Sequence, residues 1–242
     1  MMKRKLTCLT VIILSALSLQ AQEAVYDANG RQKDIWVNKV NDNQEWRDEN
    51  RWHDPFDIYA GPVLGVVASK LTEYDGKFMF APYIGGIIQT YFNNHIGMSL
   101  EFAYTRQGVR DAWANFLTQE QMEEEHLSAG PYEYRLDYID TSYKIRYYPI
   151  RNFNIFAGFL FGVHFNAKCE LDGVDTDIKK HLHKRMAHVI GGIAYELDNL
   201  IFEGYYGFPL SKLASSSTGR KALRNAREHV ILLTVGYRFK VY

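Results

Sequence analysis

Cysteine is nearly absent from this sequence of 242 residues, which contains only Cys8 and Cys169. Cys8 lies in an N-terminal segment that we expect to be removed, so Cys169 would be alone and without an intramolecular disulfide partner. Cys8 also comes before the apolar core of that segment, which is too early for the modified cysteine of a lipoprotein. Net charge is lacking as well, with 28 basic and 28 acidic residues, so no overall field attracts nucleic acid.

Long apolar runs are missing after Ala21, and none approaches the roughly 20 residues that a transmembrane helix needs. The sequence also has no Walker loop, CxxC pair, HExxH or GxSxG motif, which are common signatures of soluble enzymes. Aromatic residues, by contrast, make up 14% of the chain, with 17 Tyr and 14 Phe. This composition favours β-strands and membrane interfaces.

The N-terminus has the features of a secretory signal peptide, predicted over residues 1–21. A basic start, Met1 to Arg4, precedes an apolar run from Leu6 to Leu19, and Ala21 offers a small residue at the cleavage point. The run is short for a membrane span and is not followed by basic residues. We therefore expect a secreted precursor.

Residues 22–56 are polar, contain Trp36, Trp46 and Trp52, and show no strand pattern. We interpret them as a periplasmic N-terminal leader. It would either form a short helix that places tryptophans against the rim of the β-barrel predicted below or against lipid headgroups, or act as a flexible linker.

The clearest pattern is strict alternation in the run FNIFAGFLFGVHFNA, which begins at Phe153. Every odd position from Phe153 to Phe165 is apolar, whereas even positions include Asn154, Gly158 and His164. A period of two predicts a strand with one apolar face, and the length suits a tilted membrane strand.

Seven further segments complete a predicted set of eight strands. They are Ile58–Ser69, Phe78–Phe92, Ile96–Tyr104, Tyr132–Tyr148, Met186–Leu197, Leu200–Leu210 and Ile231–Val241. Within the fourth strand the apolar phase slips between Tyr138 and Ile139, which predicts a β-bulge.

The predicted connections alternate between short and long. The short ones are 93–95, 149–152 and 198–199, and the long ones are 70–77, 107–131, 168–185 and 211–227. Short periplasmic turns and long extracellular loops are typical of outer-membrane barrels. The predicted fold is therefore all-β: an eight-stranded antiparallel up-and-down transmembrane β-barrel over residues 57–242.

The same alternation predicts an interior ion network. Its members are Glu101, Lys144, Arg146, Glu196, Glu203 and Arg238. A barrel this small holds little beyond its own side chains, so paired acids and bases would leave no open pore. In the alternative, these side chains line a narrow file of water.

Three parts of the sequence resemble the PorT-like family of Gram-negative outer-membrane barrels. They are IGMSLEFAYTRQGVR, then YRLDYIDTSYKIRYYP followed by FNIFAGFLFGVHF, and the closing VGYRF after a strand ending in YYGFPL. The resemblance covers Asp57 to Tyr242 and implies a barrel in the outer membrane. For proteins similar to the founding member it implies assistance to a secretion and gliding apparatus, and it assigns no functional residue.

Two predicted external loops carry charge clusters. The acidic cluster is Glu120, Glu123, Glu124 and Glu125, and the basic cluster is Lys212, Arg220, Lys221, Arg224 and Arg227. The acids would hold cations that bridge lipopolysaccharide phosphates, and the bases would bind lipid phosphates directly.

Metal and catalytic sites receive weaker support from the sequence. His181 and His183 lie near Asp172, Asp175 and Asp177, but the spacing fits no strong metal motif, so we predict no metal and no other cofactor. An enzyme at the outer rim would need a nucleophile and a base. The available residues are Ser211, Ser215, Ser216, Ser217, His126 and His229, and no spacing selects a pair.

The predicted function is a structural or interaction role in the outer membrane, exerted through the external loops, in assisting secretion or envelope organisation. The expected partners are outer-membrane lipids, lipopolysaccharide and other envelope or secretion proteins, with no nucleic acid. Three alternatives stay open: an outer-membrane enzyme acting on lipid A or phospholipid, a soluble lipocalin-like binder of small ligands, and a narrow ion channel. Aromatic residues near strand ends favour a membrane barrel.

Overall fold

A computed structural model describes residues 52–115, 118–124, 126 and 128–241. The predicted signal peptide, residues 22–51 of the predicted leader, and Glu125 of the acidic cluster lie outside the described residues.

The described chain forms one antiparallel sheet that closes on itself. Its strands are β1 (Ile58–Leu71), β2 (Asp75–Tyr91), β3 (Ile96–Trp113), β4 (Tyr132–Ile150), β5 (Phe153–Leu171), β6 (Val174–Asp177), β7 (Arg185–Leu197), β8 (Leu200–Pro209), β9 (Glu228–Tyr237) and β10 (Phe239–Lys240). β6 pairs only with β5, and β10 pairs with the start of β1. Setting aside those two short strands, the other eight follow chain order around a ring that β1 and β9 close. The predicted fold class is confirmed.

Closure and alternation together explain why these residues form strands. In a ring every strand has two neighbours, so no backbone edge is left unpaired in hydrocarbon. Phe102, Phe159 and Leu233 point outward and are 49%, 48% and 65% exposed. A soluble barrel of the lipocalin type would turn such residues inward. The outward apolar face is therefore the lipid-facing surface.

Aromatic side chains stand at the ends of this apolar face. The end of the barrel with the short turns carries the exposed rings of Tyr195, Tyr237 and Phe239. Toward the other end, β8 carries the exposed rings of Tyr206 and Phe208. Aromatic rings at both interfaces are typical of membrane barrels.

The connections follow the predicted alternation except at one place. Residues 92–95, 151–152 and 198–199 make the short turns, and residues 114–131, 172–184 and 210–227 make the long connections. The first of these is shorter than predicted because β3 runs to Trp113, and the second contains β6, which the sequence pattern did not predict. The prediction of a long connection over 70–77 is wrong, because β1 runs to Leu71 and β2 begins at Asp75. Paired backbone groups replace most of the expected loop.

The bulge that was predicted between Tyr138 and Ile139 lies on the neighbouring strand instead. The β4–β5 register shifts between Asp137 and Tyr138, but the extra residue is Phe165 of β5. β4 keeps its alternation, with its even positions buried from Tyr132 to Tyr148. The interior changes from apolar to polar along β4, and this change produced the apparent slip.

Two helices and one 3₁₀ turn complete the described structure: α1 (Gln119–Glu124), α2 (Ser217–Leu223) and the turn Lys179–His181. Neither described helix is long and apolar enough to cross a membrane. α1 belongs to the loop between β3 and β4, and α2 belongs to the last loop, residues 210–227.

Candidate functional site

The centre of the barrel contains four of the predicted interior charges. Lys144 donates to Glu101 and, at 2.5 Å, to Oε2 of Glu203. Arg146 donates to the other oxygen of Glu203 and, from Nε, to Ser99 Oγ at 2.9 Å. All four charged residues are buried, and two acids face two bases. Buried charges are tolerated when they are paired and hydrogen-bonded in this way.

The remaining two predicted interior charges, Glu196 and Arg238, lie nearer the periplasmic end. Arg238 Nη2 donates to Glu196 Oε2 at 2.9 Å. Further donors to Glu196 are Tyr91, Tyr148, Gln89 and Asn154, at 2.7–3.1 Å. The Glu196 carboxylate therefore has its acceptor capacity filled.

Sequence reasoning missed a second pair of buried acids, Asp140 and Glu228. Thr105 and Gln107 donate to Asp140 Oδ2, each at 2.9 Å, and Tyr138 donates to Glu228 at 3.0 Å. The ion pairs of the described residues include neither acid. The signal was present for Asp140, which shares the even phase of Lys144 and Arg146 on β4.

Residues at the end of the predicted leader cover the periplasmic mouth. The His53 ring stacks on Tyr91 with centroids 4.0 Å apart and an interplanar angle of 2°. The Trp52 amide donates to Asn94 Oδ1 at 2.9 Å, and its ring packs edge-on against His95. Burial lowers the pKa of His53, while the Glu196 carboxylate raises it in part. This mouth is therefore lined by a neutral ring that rests on the Glu196 cluster.

The external end is covered by an apolar cluster. Leu213, Ala214, Leu223 and Ala226 of the last loop pack with buried strand residues such as Met186. A bridge between Leu182 and Ala214 connects this loop to the segment after β6. The loop therefore contributes to the core and is not simply a solvated strand connection.

The last loop presents its predicted basic cluster on the outside. Lys212, Arg220, Lys221 and Arg224 are exposed, and Arg227 is half-buried. Arg220 and Lys221 lie in the last turn of α2, while Lys212 Nζ donates to Asn225 Oδ1 at 2.7 Å. Arg227 is tied to the rim, since its amide donates to Thr72 Oγ1 at 2.8 Å. The five residues thus share one loop, and four of them have exposed side chains.

Outward-facing cations also mark where the lipid-facing surface ends. On β3 the apolar outward positions end at Arg106, which donates from Nε to Asp137 Oδ1 of β4 at 2.7 Å. Lys168 follows Phe165 on β5 and donates to Asp175 at 3.0 Å. Strands β3 to β5 continue past this level, with charged side chains on their outer face.

The acidic cluster and the possible metal donors do not assemble into a site. Glu120, Glu123 and Glu124 are exposed on α1. Asp175 pairs with Lys168 and Arg135, and Asp177 accepts from the Lys179 amide. Within the described ranges, no three His, Cys, Asp or Glu side chains are grouped so that they could hold a metal ion.

Within the described part of the chain, one serine–histidine side-chain hydrogen bond is present, and its histidine is not one of the two candidate rim bases, His126 and His229. His181 Nδ1 lies 3.0 Å from Ser216 Oγ. The same oxygen accepts from the Gly219 amide at 2.9 Å and caps the start of α2. His229 instead contacts Tyr206. The Ser216 contact is accounted for by helix capping.

A closed strand ring with an outward apolar face defines the class as a small membrane-spanning β-barrel. A model of the family described as outer membrane protein beta-barrel domain matches residues 54–215. That match covers more than half of the 242 residues, and the chain belongs to this family of outer-membrane proteins. No curated protein matches the chain.

Solved structures of small outer-membrane proteins are similar to the chain at low identity. Ail of Yersinia pestis, solved with the heparin analogue sucrose octasulfate, is 16% identical with a TM-score of 0.42, covering 76% of this chain and 99% of Ail. Neisserial surface protein A is 14% identical with a TM-score of 0.45, covering 75% of this chain and 97% of that one. The N-terminal barrel of Pseudomonas aeruginosa OprF is 12% identical with a TM-score of 0.35, covering 77% and 100%.

Proposed function

We propose that this protein is a structural or interaction component of the outer membrane whose interior is closed and whose external loops bind anionic lipid headgroups. The closed interior is supported by the contact of Arg146 on β4 with Glu203 on β8, which crosses the lumen. A lumen filled by paired charges gives sizeable solutes no path. Its binding surfaces are then the parts that project from the membrane.

The basic residues of the last loop support the proposed binding of anionic lipid headgroups. Lys212, Arg220, Lys221 and Arg224 are exposed on the loop that covers the external end. Guanidinium and ammonium groups bind phosphate oxygens through charge-assisted hydrogen bonds. The partner is therefore the phosphate-bearing headgroup of lipopolysaccharide in the outer leaflet. Envelope or secretion proteins, implied by the PorT-like resemblance, are a further proposed class of partner.

The test compares lipopolysaccharide retained by purified barrels. In the variant with Lys212, Arg220, Lys221, Arg224 and Arg227 all changed to Gln, we expect less lipopolysaccharide phosphate per barrel than in the parent. A matched comparison removes two positive charges at the external end of the barrel in one variant and two at the periplasmic end in another. Arg220→Gln with Lys221→Gln should reduce retention, whereas Arg151→Gln with Lys240→Gln, at the periplasmic end, should leave it unchanged. Equal retention in all variants would refute headgroup binding by this loop.

A further inference from the structure

A cavity of about 310 Å³ opens at the external end of the barrel, beneath the last loop. It lies among the β1–β2 turn, the external ends of β4 and β5, and the start of α2. Its volume is at the lower end of the range for small-molecule sites. The loop cations described above lie outside its lining, so it is separate from the proposed headgroup site.

Three tyrosine rings form the aromatic part of the lining. The Tyr74 and Tyr134 centroids are 5.3 Å apart at 66°, and Tyr132 lies 5.8 Å from Tyr134 and 6.2 Å from Tyr74. Their hydroxyls are engaged within the protein: those of Tyr74 and Tyr134 are 2.9 Å apart, and that of Tyr132 donates to the Ser128 carbonyl. These contacts hold the rings in place, and the ring carbons face the cavity.

The rest of the lining combines aliphatic side chains, including Leu171, Ile178, Leu182 and Leu223, with the polar side chains of His126, Ser128, Thr176, His181 and Thr218. None of the described residues that line the cavity is Asp, Glu, Lys or Arg. A charged ligand would lose hydration there without meeting a carboxylate, ammonium or guanidinium group, which costs free energy. The described lining therefore favours a neutral ligand whose polar group can bond to the histidine and hydroxyl side chains, although the outer surface of the same loop is strongly basic.

We propose that this cavity binds a small neutral aromatic molecule. The tyrosine cluster offers ring edges and faces for offset or edge-to-face packing, which favours a flat aromatic ligand over a saturated chain. Leu182 and Leu223 supply further apolar contact, and both are buried in the cluster that covers the external end. The ligand would sit between the membrane-embedded interior and the loops, and would add contacts that hold the last loop down.

Cys169 makes this proposal directly measurable. It lines the cavity and is a buried free cysteine. We would measure its alkylation by monobromobimane, a small neutral bicyclic reagent, in the Cys8→Ser full chain reconstituted in lipid nanodiscs. At concentrations about ten times its Kd, 2-naphthol should slow the labelling about tenfold, because only empty cavities react. Cys169→Ser gives the background.

Two further competitors test whether the cavity prefers neutral and aromatic ligands, and three variants test whether the protection arises at this cavity. 2-Naphthoate has the same rings with a negative charge, and 1-decanol is neutral but aliphatic; both should protect much less than 2-naphthol. Leu223→Trp, which fills the cavity, should already slow labelling without a competitor, and 2-naphthol should slow it no further, whereas Val174→Trp on the exposed β6 should react and be protected like the parent. If Leu223→Trp fails to fold, Tyr74→Leu removes the aromatic contact and should also weaken protection.

Absence of protection by 2-naphthol would overturn the proposal, as would equal protection by 2-naphthoate. Stronger protection by 1-decanol would also overturn it, because the cavity would then be an acyl-chain site. Lipopolysaccharide retention by these variants should match the parent, so failure here is distinguishable from failure of headgroup binding.

Discussion

Arg146 and Glu203 join opposite walls of the barrel. Two ring strands, β5 and β7, separate their strands on one side, and β9, β1, β2 and β3 separate them on the other. Arg146 is 0% exposed and its other donors reach Ser99 and Asn154. A contact across the lumen fixes the cross-section as well as filling it.

Changing Glu203 to Gln should destabilise the barrel strongly. It removes the negative charge that faces both Lys144 and Arg146, and breaking a buried ion pair costs about 3–5 kcal/mol. Glu228→Gln is the matched control, since Glu228 is also buried but accepts from the hydroxyl of Tyr138. Urea unfolding in vesicles, followed by gel mobility without heating, measures both. Equal midpoints for the two variants would contradict the proposed role of the ion network.

The lipid-facing assignment predicts a large effect of one arginine. Leu233→Arg should reduce folding, because arginine on the lipid face near the bilayer midplane costs about 2–4 kcal/mol. Val174→Arg is the control, since Val174 is equally exposed at 66% but lies on the external β6 hairpin. The folded fraction after insertion into vesicles gives the comparison. A folded fraction as high for Leu233→Arg as for Val174→Arg would show that β9 does not face hydrocarbon.

The closed lumen predicts that the protein conducts no ions in planar bilayers. His53→Ala tests which part closes it, because this change removes the ring over the periplasmic mouth and leaves Glu196 and Arg238 paired. We expect no current from the parent or from His53→Ala. The double variant Arg146→Ser, Glu203→Ser should show narrow channels, since it removes the contact across the lumen. Channels in His53→Ala alone would mean that the ring closes the pore and the ion network does not.

The cover formed by His53 should weaken as pH falls. Burial lowers the pKa of His53 below its usual 6.5, and the charge of Arg238 acts in the same direction, whereas Glu196 and the hydrogen bond to the Arg151 backbone oppose the shift. The unfolded or detached state thus binds more protons, so the contribution of His53 to stability is fully present above pH 6.5 and is lost as the pH falls from 6.5 through the lowered pKa. Hydrogen exchange of the Trp52 amide, which donates to Asn94, should accelerate between about pH 7 and 5 beyond its intrinsic rate.

The His53→Ala protein provides the control for this titration. Its Trp52 exchange should show no extra pH dependence, because the titrating ring is gone. The same acceleration in that variant would assign the effect to another group.

The lipid-facing surface was predictable from sequence because alternation of Phe, Ile and Val along β5 or β9 requires only a period of two. The interior was harder to predict. On β4 the buried side chains change from Leu136 and Tyr138 to Asp140 and Lys144. Because the apolar residues move from even to odd positions there, polarity alone suggested a bulge in β4, whereas its even positions stay buried from Tyr132 to Tyr148. Lipid-facing positions must be apolar, so they produce a regular hydrophobic pattern. Interior positions can be filled by apolar or by paired polar side chains, so they do not.

Contacts between distant segments were beyond the sequence pattern. Nothing in the residues around His53 indicates that its ring stacks on Tyr91, since the pairing depends on where the barrel ends. The cavity under the last loop is similar, because it combines Tyr74, Tyr134 and Leu223 from three separate parts of the chain. The three-residue link between β1 and β2 was mistaken for a loop because its flanking strand ends are polar.

That short link gives the barrel wall an uneven height. β3, β4 and β5 have 18, 19 and 19 residues, whereas β1, β8 and β9 have 14, 10 and 10. A macromolecule arriving from outside the cell would touch the tall side first. A lipid diffusing within the leaflet would meet the low side, where Thr72 of this link accepts from the amide of Arg227 in the last loop.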